Sequence, residues 1–163
     1  MEFLMTYGWV ILVVLSAVGV VVHFGVMNPS NFEEESCSFP IDLICSDFVV
    51  QSNSGNGSIK LVVINSLGDD IKVSSIIAIN SDLFDTNCSW NVSGGVLLEN
   101  DKNLTFVLNE TNGRKGDLCK IDSFYVGKNK KTDWDLKLSW YSVNADKKFT
   151  HPVFGHLVAQ VES

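Results

Sequence analysis

Residues 1–27 of the chain read MEFLMTYGWVILVVLSAVGVVVHFGVM. No side chain from Phe3 to Val22 carries a charge, and about 20 such residues are what a helix needs to cross a hydrocarbon core of roughly 30 Å. The helix is expected to stop before Asn28-Pro29, because the residue that precedes a proline is disfavoured in the helical region. The sequence therefore predicts an N-terminal hydrophobic helix over 1–28, acting as a membrane anchor or as the core of a filament.

Three interpretations of this helix differ in what should flank it. A secretory signal peptide has a basic start, a shorter apolar region and a small-residue cleavage site, and this stretch has none of the three. An ordinary single-pass anchor carries Lys or Arg on its cytoplasmic side, but the first basic residue of this chain is Lys60. The third interpretation is favoured, in which a basic leader has been removed and the helix is a mature N terminus that leaves a membrane to enter an assembly.

The rest of the chain has the pattern of antiparallel strands. Apolar and polar residues alternate with period two, which is typical of strands that are solvated on one face. Eight short strands are predicted: Asp47–Val50, Ile59–Ile64, Ile71–Ile79, Val96–Leu98, Leu104–Leu108, Ile121–Val126, Asp135–Tyr141 and His156–Val161. The predicted fold class is therefore α+β, with the hydrophobic helix followed by an extracellular, all-β, Ig-like sandwich over 29–163 and a polar collar loop over 30–46.

Composition limits the partners of the protein. The 163 residues, of which 45% are apolar and 19% charged, fit one domain plus one helix. The net charge of −7 argues against nucleic acid as a partner, because phosphate binding requires a basic surface. The acidic run Glu33–Glu35 is interpreted as a solvated segment.

The four cysteines indicate disulfides in an oxidising exterior. No Cys-x-x-Cys pair occurs, so a zinc or thioredoxin-like site is disfavoured. Four cysteines allow three connectivities. We favour Cys37–Cys45 and Cys88–Cys119, the first closing a short loop near the helix and the second joining two loop-rich regions, although the sequence leaves the other two connectivities open.

Asn-x-Ser/Thr sequons predict N-glycosylation. There are five: Asn56, Asn87, Asn91, Asn103 and Asn109. Four of them fall in the short interval from Asn87 to Asn109, in loop-like sequence. We expect sugar on at least two of the five, although an Asn- and Ser-rich chain also produces such triplets by chance.

The sequence offers no enzymatic motif. A Gly-x-Ser-x-Gly elbow, a Walker loop, a His-Glu-x-x-His pair and a dinucleotide fingerprint are all absent from it. His23, His151 and His156 are scattered, and packing or surface roles explain them better than metal binding does. No catalytic residue, cofactor or metal is therefore expected.

The two ends of the chain carry a resemblance to a known family. Residues 2–9 (EFLMTYGW), followed by 26–30 (VMNPS), are similar to the start of archaeal type IV pilins, whose class III leader is removed by a prepilin-type peptidase. Residues 155–162 (GHLVAQVE) resemble the last strand of such pilins, and between these ends the likeness is only to a general β-domain. The family's glutamate is usually the fifth mature residue, whereas here it is the second.

The helix contains two features relevant to assembly. Ser16, Ala17 and Gly19 create low points on its surface where another helix can approach closely. Glu2 places a carboxylate at the edge of the apolar run, which is costly among packed helices unless it finds a partner. The resemblance implies that this partner is the α-amino group of a neighbouring subunit, so Glu2→Gln is expected to assemble poorly. The alternative is that Glu2 only lies in the headgroup region of a membrane, with no role in assembly.

The expected function is that of a structural subunit of an archaeal type IV pilus, used in adhesion. It would form a helical homopolymer by packing of the N-terminal helices, after a stage in the membrane, and would lie in an extracellular filament at the cell surface. The resemblance implies a prepilin peptidase, a secretion ATPase and a platform protein as partners. The alternatives are a monomeric, single-pass membrane-anchored surface adhesin or binding protein and, less favoured, an anchored enzyme.

Overall fold

The computed structural model describes residues 2–23, 34–40, 42–53, 56–80, 86–110, 119–121, 131–145 and 149–162. The chain divides into two compact units, Met1–Glu33 and Glu34–Ser163. Within the described residues, the first unit contains one helix and the second contains eight strands. They are α1 (Glu2–His23), β1 (Ser36–Ser38), β2 (Leu43–Asn53), β3 (Asn56–Asn65), β4 (Ile71–Asn80), β5 (Thr86–Leu98), β6 (Asn103–Leu108), β7 (Lys131–Ser142) and β8 (His151–Glu162).

Helix α1 forms where the sequence predicts a helix, but the expected membrane span is not found. Among the residues described, no helix combines the length and the hydropathy that crossing a membrane requires. The prediction of a transmembrane helix is therefore corrected.

The strands form one continuous sheet in the order β5-β4-β7-β8-β2-β3-β6, with β1 paired to β8. Neighbours are antiparallel except for β2 and β8, which run parallel over the pairs Val50–Val161 and Gln51–Glu162. The edge strand β5 returns towards the other edge at a bridge between Ser89 and Glu110, whose backbone N–H groups donate to each other's carbonyl oxygens at 2.6 and 3.2 Å.

The predicted α+β class with an Ig-like sandwich is therefore wrong. A sandwich consists of two separate sheets that pack face to face. Here the described chain is mostly β, and a single sheet curls until its edges nearly meet. The pattern of alternating residues is the same in both architectures, because each strand still buries one face.

Seven of the eight predicted strands fall within β2 to β8, one in each. The eighth, Ile121–Val126, is not tested as a whole: Ile121 is described and lies outside the strands, and the remainder lies outside the described residues. The predicted collar, 30–46, includes β1 and the beginning of β2. Strand β1 was not predicted, since Ser-Cys-Ser has no strand pattern.

The core lies inside the curl of the sheet. On β7, Trp134, Leu136 and Leu138 are fully buried and alternate with exposed Asp135 and Lys137. The other strands contribute in the same way, and Phe106 of β6 is also fully buried. Full burial of a large apolar side chain stabilises a fold by about 1.5–3 kcal/mol, so this period-two pattern holds the sheet in its curled form.

A bulge of four residues interrupts the edge strand β5. Val73 pairs with Val96 and Ser75 pairs with Asn91, so residues 92–95 of β5 oppose Ser74 alone. Gly95 has φ +69°, and a Cβ there would lie 3.1 Å from the Tyr141 hydroxyl oxygen. That hydroxyl donates a hydrogen bond to the carbonyl oxygen of Gly94 at 2.5 Å, which fixes the bulge to β7.

Residues 119–121 close the end of the sheet where β2 and β6 finish and β3 and β5 begin. The Cys119 N–H donates to the Asn109 carbonyl at 2.9 Å, and the Gly57 N–H donates to the Cys119 carbonyl at 2.7 Å. The Ser52 hydroxyl donates to the Ile121 carbonyl at 2.5 Å. Ile121 is fully buried, so this short segment, called the end segment below, connects β2, β3 and β6.

Candidate assembly surface and modification sites

Helix α1 presents apolar side chains to solvent on all sides. Trp9 is 66% exposed and Leu12 is 67% exposed, and the consecutive residues 10–15 are all exposed and apolar. Successive residues of a helix point about 100° apart, so six in a row cover its whole circumference. A helix that is apolar all round is normally buried among other elements or in lipid.

The small residues of α1 leave open space beside them. Ala17 and Gly19 are exposed, and a Cβ added at Gly8 or Gly19 would meet nothing within 4 Å. The Ser16 hydroxyl donates to the Leu12 carbonyl at 2.8 Å, which satisfies it within the helix. These positions are therefore available for close approach by another helix. Glu2 begins α1, and its side chain lies outside the described residues, so its charge pairing stays a prediction.

The structure contains the disulfides Cys37–Cys45 and Cys88–Cys119, which is the pairing favoured from the sequence. Their Cα–Cα distances are 5.7 and 5.0 Å, and no cysteine of the chain is free. The first joins β1 to β2, and the second joins β5 to the end segment. Two disulfides indicate an extracellular or otherwise oxidising compartment.

The five sequon asparagines occupy ends and edges of the sheet. Asn56 is the first residue of β3 and Asn103 the first of β6, and Asn109 directly follows β6. These three are exposed, as is Asn91 on β5, whereas Asn87 on β5 is half-buried. Four accessible asparagines are therefore compatible with a bulky sugar, and their glycosylation stays a prediction.

An exposed aromatic residue that the sequence analysis missed lies on the outer face of β7 and β8. Phe154 is 62% exposed, and the Lys137 ammonium lies 5.9 Å from the centre of its ring. On the next outward-facing pair, His156 Nδ1 lies 3.6 Å from Asp135 Oδ1. The alternation of β8 contained the signal, because Phe154 falls between inward-facing Val153 and Gly155.

A groove of about 560 Å³ separates β2 from β8 where the two strands diverge. Its lining includes Glu35 and Glu162 together with strand residues such as Val49 and Gln160. The Gln160 N–H donates to Glu35 Oε1 at 3.2 Å, so the carboxylate occupies a position that a neighbouring strand would otherwise fill. The groove is open to solvent, and its lining lacks the apolar enclosure typical of cofactor sites.

The histidines of the β domain have ordinary structural contacts. His151 stacks against Trp140 with ring centres 4.8 Å apart, and His156 pairs with Asp135. Over the described part of the chain, no group of three or more His, Cys, Asp or Glu side chains could hold a metal ion. The expectation that the protein is not an enzyme stays a prediction.

No model of a protein family matches the chain, and no curated protein matches it. The likeness to archaeal pilins therefore rests on residues 2–9, 26–30 and 155–162 alone.

Proposed function

We propose that the protein is a structural subunit of an extracellular filament of the archaeal type IV pilus kind, assembled by packing of α1 against the α1 helices of other copies. The observation that carries the proposal is the exposed apolar surface formed by the described side chains of α1, in a chain that also contains a disulfide-linked β domain. The end stretches that resemble archaeal pilins support the same interpretation.

The size of the exposed surface favours a polymer over a dimer. Among the described side chains of α1, eleven large apolar ones are exposed: Tyr7, Trp9, Val10, Ile11, Leu12, Val13, Val14, Leu15, Val18, Val20 and Val22. Covering the exposed half of each contributes roughly 1 kcal/mol, or about 10 kcal/mol in total. Association costs about 4–15 kcal/mol, and a dimer covers only one side of a helix. Only a helix surrounded by several others gains the full contribution.

The β domain supplies the outer surface in this proposal. The net charge of −7 keeps such surfaces apart and soluble, and adhesion is the use expected for the filament. The peptidase, the secretion ATPase, the platform protein and the membrane stage follow from the resemblance. The competing function is that of a monomeric surface adhesin or binding protein.

A matched pair of substitutions tests the proposal. Leu15 lies on α1 and Leu97 on β5, and both are exposed. The full wild-type chain, purified in a mild detergent and then freed of it, is expected to form filaments that sediment and are visible by electron microscopy. Leu15→Asp is expected to abolish sedimentation, because the carboxylate would be buried among packed helices. Leu97→Asp is expected to leave it intact.

Circular dichroism and the absence of free thiols verify that both variants are folded. Filaments of Leu15→Asp at wild-type abundance would contradict assembly through α1. A wild-type chain that remains monomeric after detergent removal would support the adhesin instead.

A further inference from the structure

The two strands at the ends of the strand order, β5 and β6, contain no charged residue. Strand β5 reads TNCSWNVSGGVLL and β6 reads NLTFVL, without a charge or a proline in either. Each longer interior strand contains at least one charged residue, such as Asp47 in β2, Lys60 in β3 and Lys72 in β4. Natural sheets usually place charges, lysine above all, and prolines on their edges, because unpaired edge backbone is a template for pairing with another chain.

Both edge strands also expose apolar side chains. Leu97 of β5 is 45% exposed and Val107 of β6 is 36% exposed. Among the described residues, one bridge, Ser89–Glu110, joins the two edges. The bulge at 92–95 protects part of β5, but β6 has no register shift against β3 and so remains a regular strand. A regular, uncharged strand that pairs on one side only is a site where pairing with another chain is expected.

The sequons lie where the charges are missing. Strands β5 and β6 stand at opposite ends of the strand order, yet four of the five sequon asparagines lie on them or directly beside them. Asn103 is the first residue of β6, Asn109 immediately follows its last, and Asn91 adjoins the bulge of β5. All three side chains are exposed. The carbonyl of Asn109 is bonded to the end segment, so its outward side chain can be modified without breaking that contact.

We propose that N-linked sugars on Asn91, Asn103 and Asn109 block the two edges of the sheet and so prevent strand pairing between copies. Each sugar arises when the asparagine Nδ2 forms a bond to the anomeric carbon of a lipid-linked sugar phosphate. The bond from that carbon to the phosphate oxygen breaks, the lipid phosphate leaves, and the amide loses one proton. The bulky, hydrated chains then perform the role that lysine performs on other edges. In the filament proposed above, they would leave α1 as the route of assembly.

Asn56 provides the matched control, because it begins β3, which has neighbours on both sides. Intact-mass measurement first establishes the sugars on the native full chain and their loss in Asn56→Gln and in the triple variant Asn91→Gln, Asn103→Gln, Asn109→Gln. The concentration at which the detergent-solubilised protein aggregates is then measured by light scattering. We expect this concentration to fall about tenfold in the triple variant, the effect of a few new cross-strand pairs, and to be unchanged in Asn56→Gln.

A rescue variant separates edge blocking from general hydration. Adding Val107→Lys to the triple variant places a charge on the edge of β6 and should restore the wild-type aggregation threshold. Enzymatic removal of sugars from folded wild-type protein should reproduce the fall and covers the case in which the triple variant does not fold. A native mass equal to that of the bare chain, an equal fall in Asn56→Gln, or no rescue by Val107→Lys would each overturn the proposal.

Filament formation through α1 is tested separately, by the comparison of Leu15→Asp with Leu97→Asp. If assembly through α1 fails its test, the aggregation thresholds of the glycosylation variants can still be interpreted. If those thresholds contradict edge blocking, the test of assembly is equally unaffected.

Discussion

Removing the Cys88–Cys119 disulfide should destabilise the protein more than removing Cys37–Cys45. The first spans 31 residues and the second spans 8. Chain entropy alone then gives about 3.7 kcal/mol for the longer loop and about 2.5 kcal/mol for the shorter one. The structure adds to the difference, because Cys88 and Cys119 are fully buried, whereas Cys37 and Cys45 are only partly buried.

The loss of the longer bridge also frees the end segment. That segment is bonded to Asn109, Gly57 and Ser52, and each of these hydrogen bonds contributes about 0.5–1.5 kcal/mol while the segment is held in place. We therefore expect the double variant Cys88→Ala, Cys119→Ala to lose at least about 1.2 kcal/mol more than Cys37→Ala, Cys45→Ala. Alanine is preferred to serine because a buried hydroxyl would add its own desolvation cost.

The assay is urea unfolding of the full chain at a fixed concentration of mild detergent, followed by the fluorescence of buried Trp134 and the other tryptophans. Midpoints and slopes are compared among the wild type and the two double variants. An equal loss of unfolding free energy in the two variants, or a larger loss in the Cys37–Cys45 variant, would refute the argument that the end segment is a main stabilising contact of the sheet.

Two further substitutions test the packing in the same assay. Trp134→Ala should cost about 3–5 kcal/mol because Trp134 is fully buried, whereas Phe154→Ala on the outer face should change the unfolding free energy by less than about 0.5 kcal/mol. Gly155→Ala should cost about 1–3 kcal/mol, because its Cβ would lie 2.5 Å from a carbon of the Phe39 ring, while Gly8→Ala meets open space and should be neutral or slightly stabilising. Equal effects within either pair would contradict the packing described.

The strands could be predicted from the sequence, since alternation is a local property. The predicted strand Ile71–Ile79 corresponds to β4, which spans Ile71–Asn80. The predicted strand Asp135–Tyr141 lies within β7, which spans Lys131–Ser142. The first half of β5 was missed because most of its residues are polar. Only Cys88 and Trp90 mark its inward face, and they alternate with polar residues such as Asn91. Its inward direction is evident from Trp90, whose ring packs edge-on at 4.9 Å from that of Phe106.

The pairing of the strands could not be predicted, and this is where the fold class failed. Whether eight strands form two facing sheets or one curled sheet depends on partners far apart in sequence. The parallel contact of Val50 with Val161 and the bridge from Ser89 to Glu110 decide it, and neither leaves a local pattern.

The candidate sites were predicted unevenly for the same reason. Sequons and cysteines are visible in the sequence as single residues. That the sequons from Asn87 to Asn109 lie along the two edges of one sheet became apparent only when β5 and β6 were found at its two ends. The apolar surface of α1 was predicted, whereas the predicted membrane span was not found among the described residues.

Electron cryomicroscopy of filaments formed by the full chain tests the central claim most directly. The filament is expected to have a core of packed α-helices into which residues 2–23 can be built, with each α1 contacting several others and the curled β sheets outside. A filament whose core contains no α-helix, or one held together by pairing between β5 and β6 of neighbouring copies, would contradict it.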